Sequence, residues 1–120
     1  MGTPQQRDMR IYIYDGEVYA HDWLFVFRSP DSDNYIEIAN DNYKLKAFLN
    51  QDDILIGGFN NKHYDDWILL TILNGGDPER VKAHNDHIIG GGQGWEYPFI
   101  KGIKKPFRSF DLKDDLPISS

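Results

Sequence analysis

The chain has no cysteine among its 120 residues, which removes disulfides, thiolate metal sites and thiol nucleophiles together. Any metal must therefore rest on carboxylates or imidazoles. No run of 18 apolar residues occurs, and no apolar segment follows the polar MGTPQQRD leader, so neither a membrane span nor a secretory signal is expected. Positive charge is scarce as well. Thirteen Lys and Arg against 19 Asp and Glu leave a formal charge of −6, which argues against indiscriminate affinity for nucleic acid backbones. The glycines at 90, 91, 92 and 94 are not followed by Gly-Lys-Ser/Thr, so they are not a phosphate cradle of the Walker type. Repeats and heptads are absent too. These absences point to a soluble, cytoplasmic protein.

A hydrophobic content of 40% and an aromatic content of 14% suit one domain that buries roughly two-thirds of its unfolded surface. Residues 1–9 read as a flexible leader, with Met9 as an alternative start, and residues 10–120 as a single domain. From Arg10, alternation of Ile11 and Ile13 with Tyr12 and Tyr14 predicts a strand. The apolar run from Tyr19 to Arg28 predicts a central strand buried on both faces, and Tyr35, Ile36 and Ile38 a third strand after a turn at Ser29–Asp33. A helix over about 40–50 precedes a strand at Ile54–Ile56 that Gly57 and Gly58 stop. The strand-helix-strand order requires a crossover and hence a parallel partner.

Asn60 or Asn61 is expected to cap the next helix, whose inner face carries Tyr64, Trp67, Ile68, Thr71 and Ile72 until Gly75 ends it. Asp77-Pro78 opens another helix in N-cap and N1 fashion, with Val81 and Ile88 inward and Gly90 at its end. A flexible glycine loop then leads to a last strand at Phe107–Leu112. The fold class is α/β with a mixed sheet. A three-strand antiparallel meander joins parallel strands flanked by helices, which is the element order of the ribonuclease H-like fold.

Asp15 and Glu17 lie two apart, so in a strand both carboxylates leave one face and can share a hard cation. Asp65 falls in the first turn of a helix after the strand expected to lie beside the first. Three converging carboxylates suit Mg²⁺ or Mn²⁺, and two such ions about 3.5–4 Å apart can activate water for phosphodiester cleavage. Each feature also has a plainer reading. Asp15-Gly16 between alternating apolar residues suits the tip of a type I′ hairpin, and Asp65 and Asp66 suit a helix N-terminus through the macrodipole. His84 and His87, three apart with no third ligand nearby, read as solvated positions. The stretch Phe99–Arg108 holds Lys101, Lys104, Lys105 and Arg108 without an acid. Beside Trp95, Tyr97 and Phe99 it can stack bases and pair phosphates, or serve as aromatic plugs with a solvated basic edge.

Tyr14-Asp15-Gly16-Glu17 resembles the Asp-x-Glu motif of the DEDD 3′→5′ exonucleases, and Gly58-Phe59-Asn60-Asn61-Lys62-His63-Tyr64-Asp65 resembles their second motif. Similarity to the proofreading domains of bacteriophage-type DNA polymerases runs from about Arg10 to Leu116, including Gly91–Pro98 and Ser109–Leu112. The resemblance implies that Asp15, Glu17 and Asp65 are metal ligands and that Asn60 and Tyr64 shape the substrate groove. His63 is a candidate phosphate contact. The family carries a fourth aspartate on a later helix, with a Tyr or His that orients water, and this sequence has no counterpart of it. The expectation is therefore a C-terminally truncated exonuclease-like domain with little turnover. Two functions follow, the first of them expected and the second its alternative, because a domain short of a ligand and of the water-orienting residue should not be a competent nuclease. One is a noncatalytic, phage-derived binding protein that inhibits a nucleic-acid enzyme such as a CRISPR-Cas effector nuclease. The other is a metal-dependent 3′→5′ exonuclease domain acting on single-stranded DNA. Missing later helices are expected to expose apolar surface around Ile54, Ile56 and the final strand, covered in a homodimer or by a protein partner.

Overall fold

The structure, a computed structural model, describes residues 9–115. Residues 1–8 of the predicted leader and the predicted domain's last five lie outside the described residues. The element order is β1 (Arg10–Val18), β2 (Trp23–Arg28), β3 (Tyr35–Ala39), α1 (Asn42–Leu49), β4 (Ile54–Gly58), α2 (Asp65–Leu73), α3 (Pro78–Ile89), a 3₁₀ turn (Gly94–Glu96), β5 (Arg108–Asp111) and α4 (Leu112–Asp115). One five-stranded sheet has the order β3-β2-β1-β4-β5. The β1–β2 and β2–β3 pairs are antiparallel, whereas β4 runs parallel to both β1 and β5. The mixed α/β architecture, the meander and the crossover all match the sequence reading. Among the described residues no helix is long and apolar enough to cross a membrane.

One face of the sheet carries the core. Tyr14, Trp23, Phe25, Phe27, Ile38, Ile54 and Ile56 are buried there with Leu45, Phe48, Ile68, Leu69, Ile72 and Val81 from α1, α2 and α3. Along β2 burial alternates, with Trp23, Phe25 and Phe27 covered and Leu24 and Val26 half-buried. The expectation of a strand buried on both faces is therefore wrong, because the helices that contact the sheet pack on one side. Tyr19–Asp22 is not strand either; it is the β1–β2 turn, closed by Tyr19 N–H to Asp22 O at 2.7 Å. The expected apolar exposure at Ile54 and Ile56 is also overturned, since these are 5% and 0% exposed and face the helices.

Two glycine readings are corrected by close packing. Asp15-Gly16 is no hairpin tip: β1 continues to Val18, and Gly16 pairs with Phe25. A Cβ on Gly16 would sit 2.2 Å from the Phe25 ring, so glycine is required there by the neighbouring strand. Gly57 and Gly58 end β4 as expected, but as its last two paired residues rather than as a break beyond it. A Cβ on Gly57 would meet the Phe110 ring at 2.2 Å, and one on Gly58 the Tyr14 carbonyl at 2.8 Å. The α2 N-cap is Tyr64 rather than Asn60 or Asn61. Asp77 caps α3 as expected, accepting from Arg80 N–H. The last strand is shorter than predicted, and Leu112 already belongs to α4.

Candidate functional site

Because β1, β4 and β5 are parallel, their C-terminal ends share one edge of the sheet, and the candidate residues collect there. The two-residue period of β1 turns Tyr14 into the core, 3% exposed, and Asp15 and Glu17 toward the face that the helices leave open. With Ile13, Leu24, Val26 and Arg28 the two acids line a shallow groove of about 240 Å³. Glu17 accepts a hydrogen bond from Tyr19 Oη at 2.7 Å.

Asp65 opens α2 just after the turn that leaves β4, and it is 8% exposed. Burial, and then the charges of Asp15, Asp66 and Asp111, push its carboxyl up to about 7. The Tyr64 hydroxyl is raised to about 12 by burial and then by Asp65, Asp86 and Asp15. Asp15 on the strand thus lies within electrostatic reach of both residues at the head of α2. The Tyr64 hydroxyl itself donates to Asn85 Oδ1 on α3.

The turn between β4 and α2 is held from below. Asn60 has a left-handed φ of 68°, and its N–H donates to Asp111 Oδ1 at 2.8 Å. Asn61 is fully buried; its Oδ1 accepts from Gly58 N–H at 3.0 Å, while its Nδ2 donates to Asp66 at 3.0 Å and to Phe110 O at 2.9 Å. Asn60, which the motif comparison singled out, thus contributes through its backbone, and its neighbour contributes the side chain. Asp66 is 0% exposed and accepts from Tyr14 Oη at 2.6 Å, Ser109 Oγ at 2.5 Å and Lys105 Nζ at 3.1 Å.

Asp111, also fully buried, accepts backbone N–H groups from Asn60, Lys62 and Lys113. Burial would raise its pKa, but those N–H donors and His63 outweigh burial and hold it below the usual range. His63 Nε2 lies 2.7 Å from Asp114 Oδ2. His63, Asp111 and Asp114 are the one trio among the described residues with ligand atoms within 4.8 Å of one another. Asp111 is already occupied by the turn that it caps, so the trio reads as a structural clasp. Asp15, Glu17 and Asp65 form no group that tight. Their all-oxygen donor chemistry nonetheless fits Mg²⁺ or Mn²⁺, and the suppressed ionisation of Asp65 is what a cation beside it would relieve.

The expected nucleic-acid surface is partly spent on structure. Lys105 reaches Asp66 and sits 4.8 Å from the Trp67 ring centroid. Tyr97 is buried and stacks on His84 at 4.4 Å with a 9° interplanar angle. Trp95 remains 48% exposed, and Lys104 and Arg108 are exposed, with Arg108 Nη1 3.7 Å from Met9 Sδ. His84 is not solvated, contrary to expectation. It is 0% exposed, with Nδ1 2.7 Å from Thr71 Oγ1 and Nε2 2.9 Å from Gly94 O. Burial foremost, opposed by the Gly94 bond, brings its pKa down to about 4. His87 Nε2 lies 2.9 Å from Gln93 O, so both imidazoles tie the glycine loop to α3.

Ser109 went unread as a donor, while Asn61, Asp66 and His84 were expected as a cap, a helix-start acid and a solvated position rather than as buried hydrogen-bonding groups. His84 had a readable signal, since Val81, His84 and Ile88 follow helical spacing. No family model, curated protein or solved structure matches this chain.

Proposed function

We propose that the chain is a ribonuclease H-like domain whose acidic edge binds divalent cations and, with the low turnover that three rather than four carboxylates allow, acts on the end of a single DNA strand in the manner of a 3′→5′ exonuclease. One observation carries this reading: Asp15 of the central strand and Asp65 at the head of α2 lie toward the C-terminal ends of the parallel strands, near enough for the Asp15 charge to bear on the Asp65 carboxyl. The strand order β3-β2-β1-β4-β5 supports the fold assignment. Asp15, Glu17 and Asp65 would supply oxygen ligands, and the groove beside Ile13, Leu24 and Val26 would take the terminal nucleotide. A divalent cation held there would supply Lewis-acid activation of water and would neutralise the leaving oxygen. His63, Lys104, Arg108 and Trp95 are accessible for phosphate and base contacts.

The partly uncovered apolar face favours a second reading, a noncatalytic binding protein. Ile11 is 41% exposed, and Ile13, Leu24 and Val26 are half-buried beside it. A protein partner such as a nucleic-acid enzyme, or a second copy in a homodimer, would cover them. Incubation with 3′-labelled single-stranded DNA in Mn²⁺ separates the two. Label shortening that falls about a hundredfold or more in Asp15→Ala and Asp65→Ala is expected for the nuclease. No shortening by the wild-type chain in either Mg²⁺ or Mn²⁺ overturns it in favour of the binder.

A further inference from the structure

We infer that Tyr14 and Asp66 form a strut that sets the separation of Asp15 and Asp65. The inference rests on reading those two acids as cation ligands. Each end of the strut is covalently next to one of them: Tyr14 precedes Asp15 on β1, and Asp66 follows Asp65 on α2. Strand alternation sends Tyr14 inward as Asp15 turns outward. The Tyr14 Oη to Asp66 Oδ1 bond of 2.6 Å is therefore a rung directly beneath the pair. Both residues are buried, at 3% and 0% exposure.

The carboxylate end of the strut cannot swing. Asn61 from the turn, Ser109 from β5 and Lys105 from the preceding loop also donate to Asp66, so four segments fix its two oxygens. A carboxyl group in this position is costly to bury, and apolar residues of like volume can often replace such a group without loss of stability. What an apolar contact would not supply is a fixed length and direction. A hydrogen-bonded rung does, and a multidentate cation site needs its ligands held to fractions of an ångström. Tyr14 and Asp66 are thus positioning residues, acting on the ion through Asp15 and Asp65.

Tyr14→Phe removes the rung while keeping the ring. Eu³⁺ serves as the probe, because it takes oxygen ligands and its luminescence lifetimes in H₂O and D₂O count the waters left on the ion. In the full chain the variant is expected to bind Eu³⁺ about tenfold more weakly, as loss of an outer-shell partner does, and to carry more ion-bound water. Ser109→Ala, which removes a different donor from the same carboxylate, is the control and is expected to leave the hydration number unchanged. Equal affinity and hydration in Tyr14→Phe and wild type overturn the strut, and so does an equal change in Ser109→Ala. Failure of the wild-type chain to bind Eu³⁺ instead overturns the cation reading. In that case NOEs between residues 14–16 and 64–66 in ion-free protein decide the strut: altered contacts in Tyr14→Phe sustain it, and unaltered contacts sink it.

Discussion

The two faces of the sheet are made from the same strands, residue by residue, and serve opposite ends. On the covered face Trp23, Phe25, Phe27 and Ile56 are all 0% exposed. One position along, Leu24 and Val26 remain half-buried beside the exposed Asp15 and Glu17. The core side is closed by three helices, and the other carries the acids and the groove. A one-residue slip would exchange the two sets, since strand period is two. Register is therefore the property that makes a functional edge possible here, and the rings around Gly16 and Gly57 enforce it.

The largest test of this contrast is truncation of neighbours. Phe25→Ala should cost about 3–5 kcal/mol, because a fully enclosed ring leaves a cavity that its surroundings cannot fill. Val26→Ala, one residue on but facing the groove, should cost about 1 kcal/mol or less, as a half-buried site loses less apolar contact. Urea unfolding of both variants measures the difference. Equal losses would mean that the open face is as tightly covered as the core.

What could be read from sequence follows the same divide. Alternation in β1 and the Asp77-Pro78 start of α3 are local signals, and they placed those elements correctly. The plainer reading of Gly16 as a turn fails, and Gly57 and Gly58 were read only as punctuation, because the reason for all three lies across the sheet, in Phe25, Phe110 and the Tyr14 carbonyl. Glycine punctuation looks the same whether it relieves backbone strain or admits a ring. The shared face of Asp15 and Glu17 and the place of Asp65 at the head of α2 were legible from spacing, but what packs beneath them was not. Asp66 was read as a helix-start acid, and two of the groups that bury it, Lys105 and Ser109, lie 39 and 43 residues further along.

A smaller effect concerns the two buried titrating groups, which act with opposite signs. Asp65 moves from an ordinary 3.8 to about 7 on folding. Between those values the folded chain holds a proton that the unfolded chain has released, so this group makes stability fall as pH rises from about 4 to about 7. His84 moves from 6.5 to about 4. Below 6.5 the unfolded chain takes up a proton that the folded chain refuses, so this group makes stability fall as pH drops through the same range. The two contributions offset, and the wild-type profile should be nearly flat there. Asp65→Asn should unmask the His84 slope. It should also stabilise the protein at pH 8 by on the order of 3 kcal/mol, with no gain at pH 3. Melting curves across pH check it, and a variant profile parallel to wild type would refute the assignment.

The smallest expected effect comes from two bonds that look alike. Tyr14 Oη lies 2.6 Å from Asp66, and Tyr19 Oη lies 2.7 Å from Glu17; geometry alone would rank them equal. The first is enclosed, so removing its hydroxyl leaves a buried carboxylate one donor short, and Tyr14→Phe should cost about 1.5–3 kcal/mol. The second is solvated, and water replaces the lost hydroxyl at once. Tyr19→Phe should leave the urea midpoint unchanged within error. A measurable loss there would show that the open edge is drier than its exposure suggests. The acids in the groove would then feel a stronger field than solvated carboxylates do, and the contrast between the faces would narrow to one of packing alone.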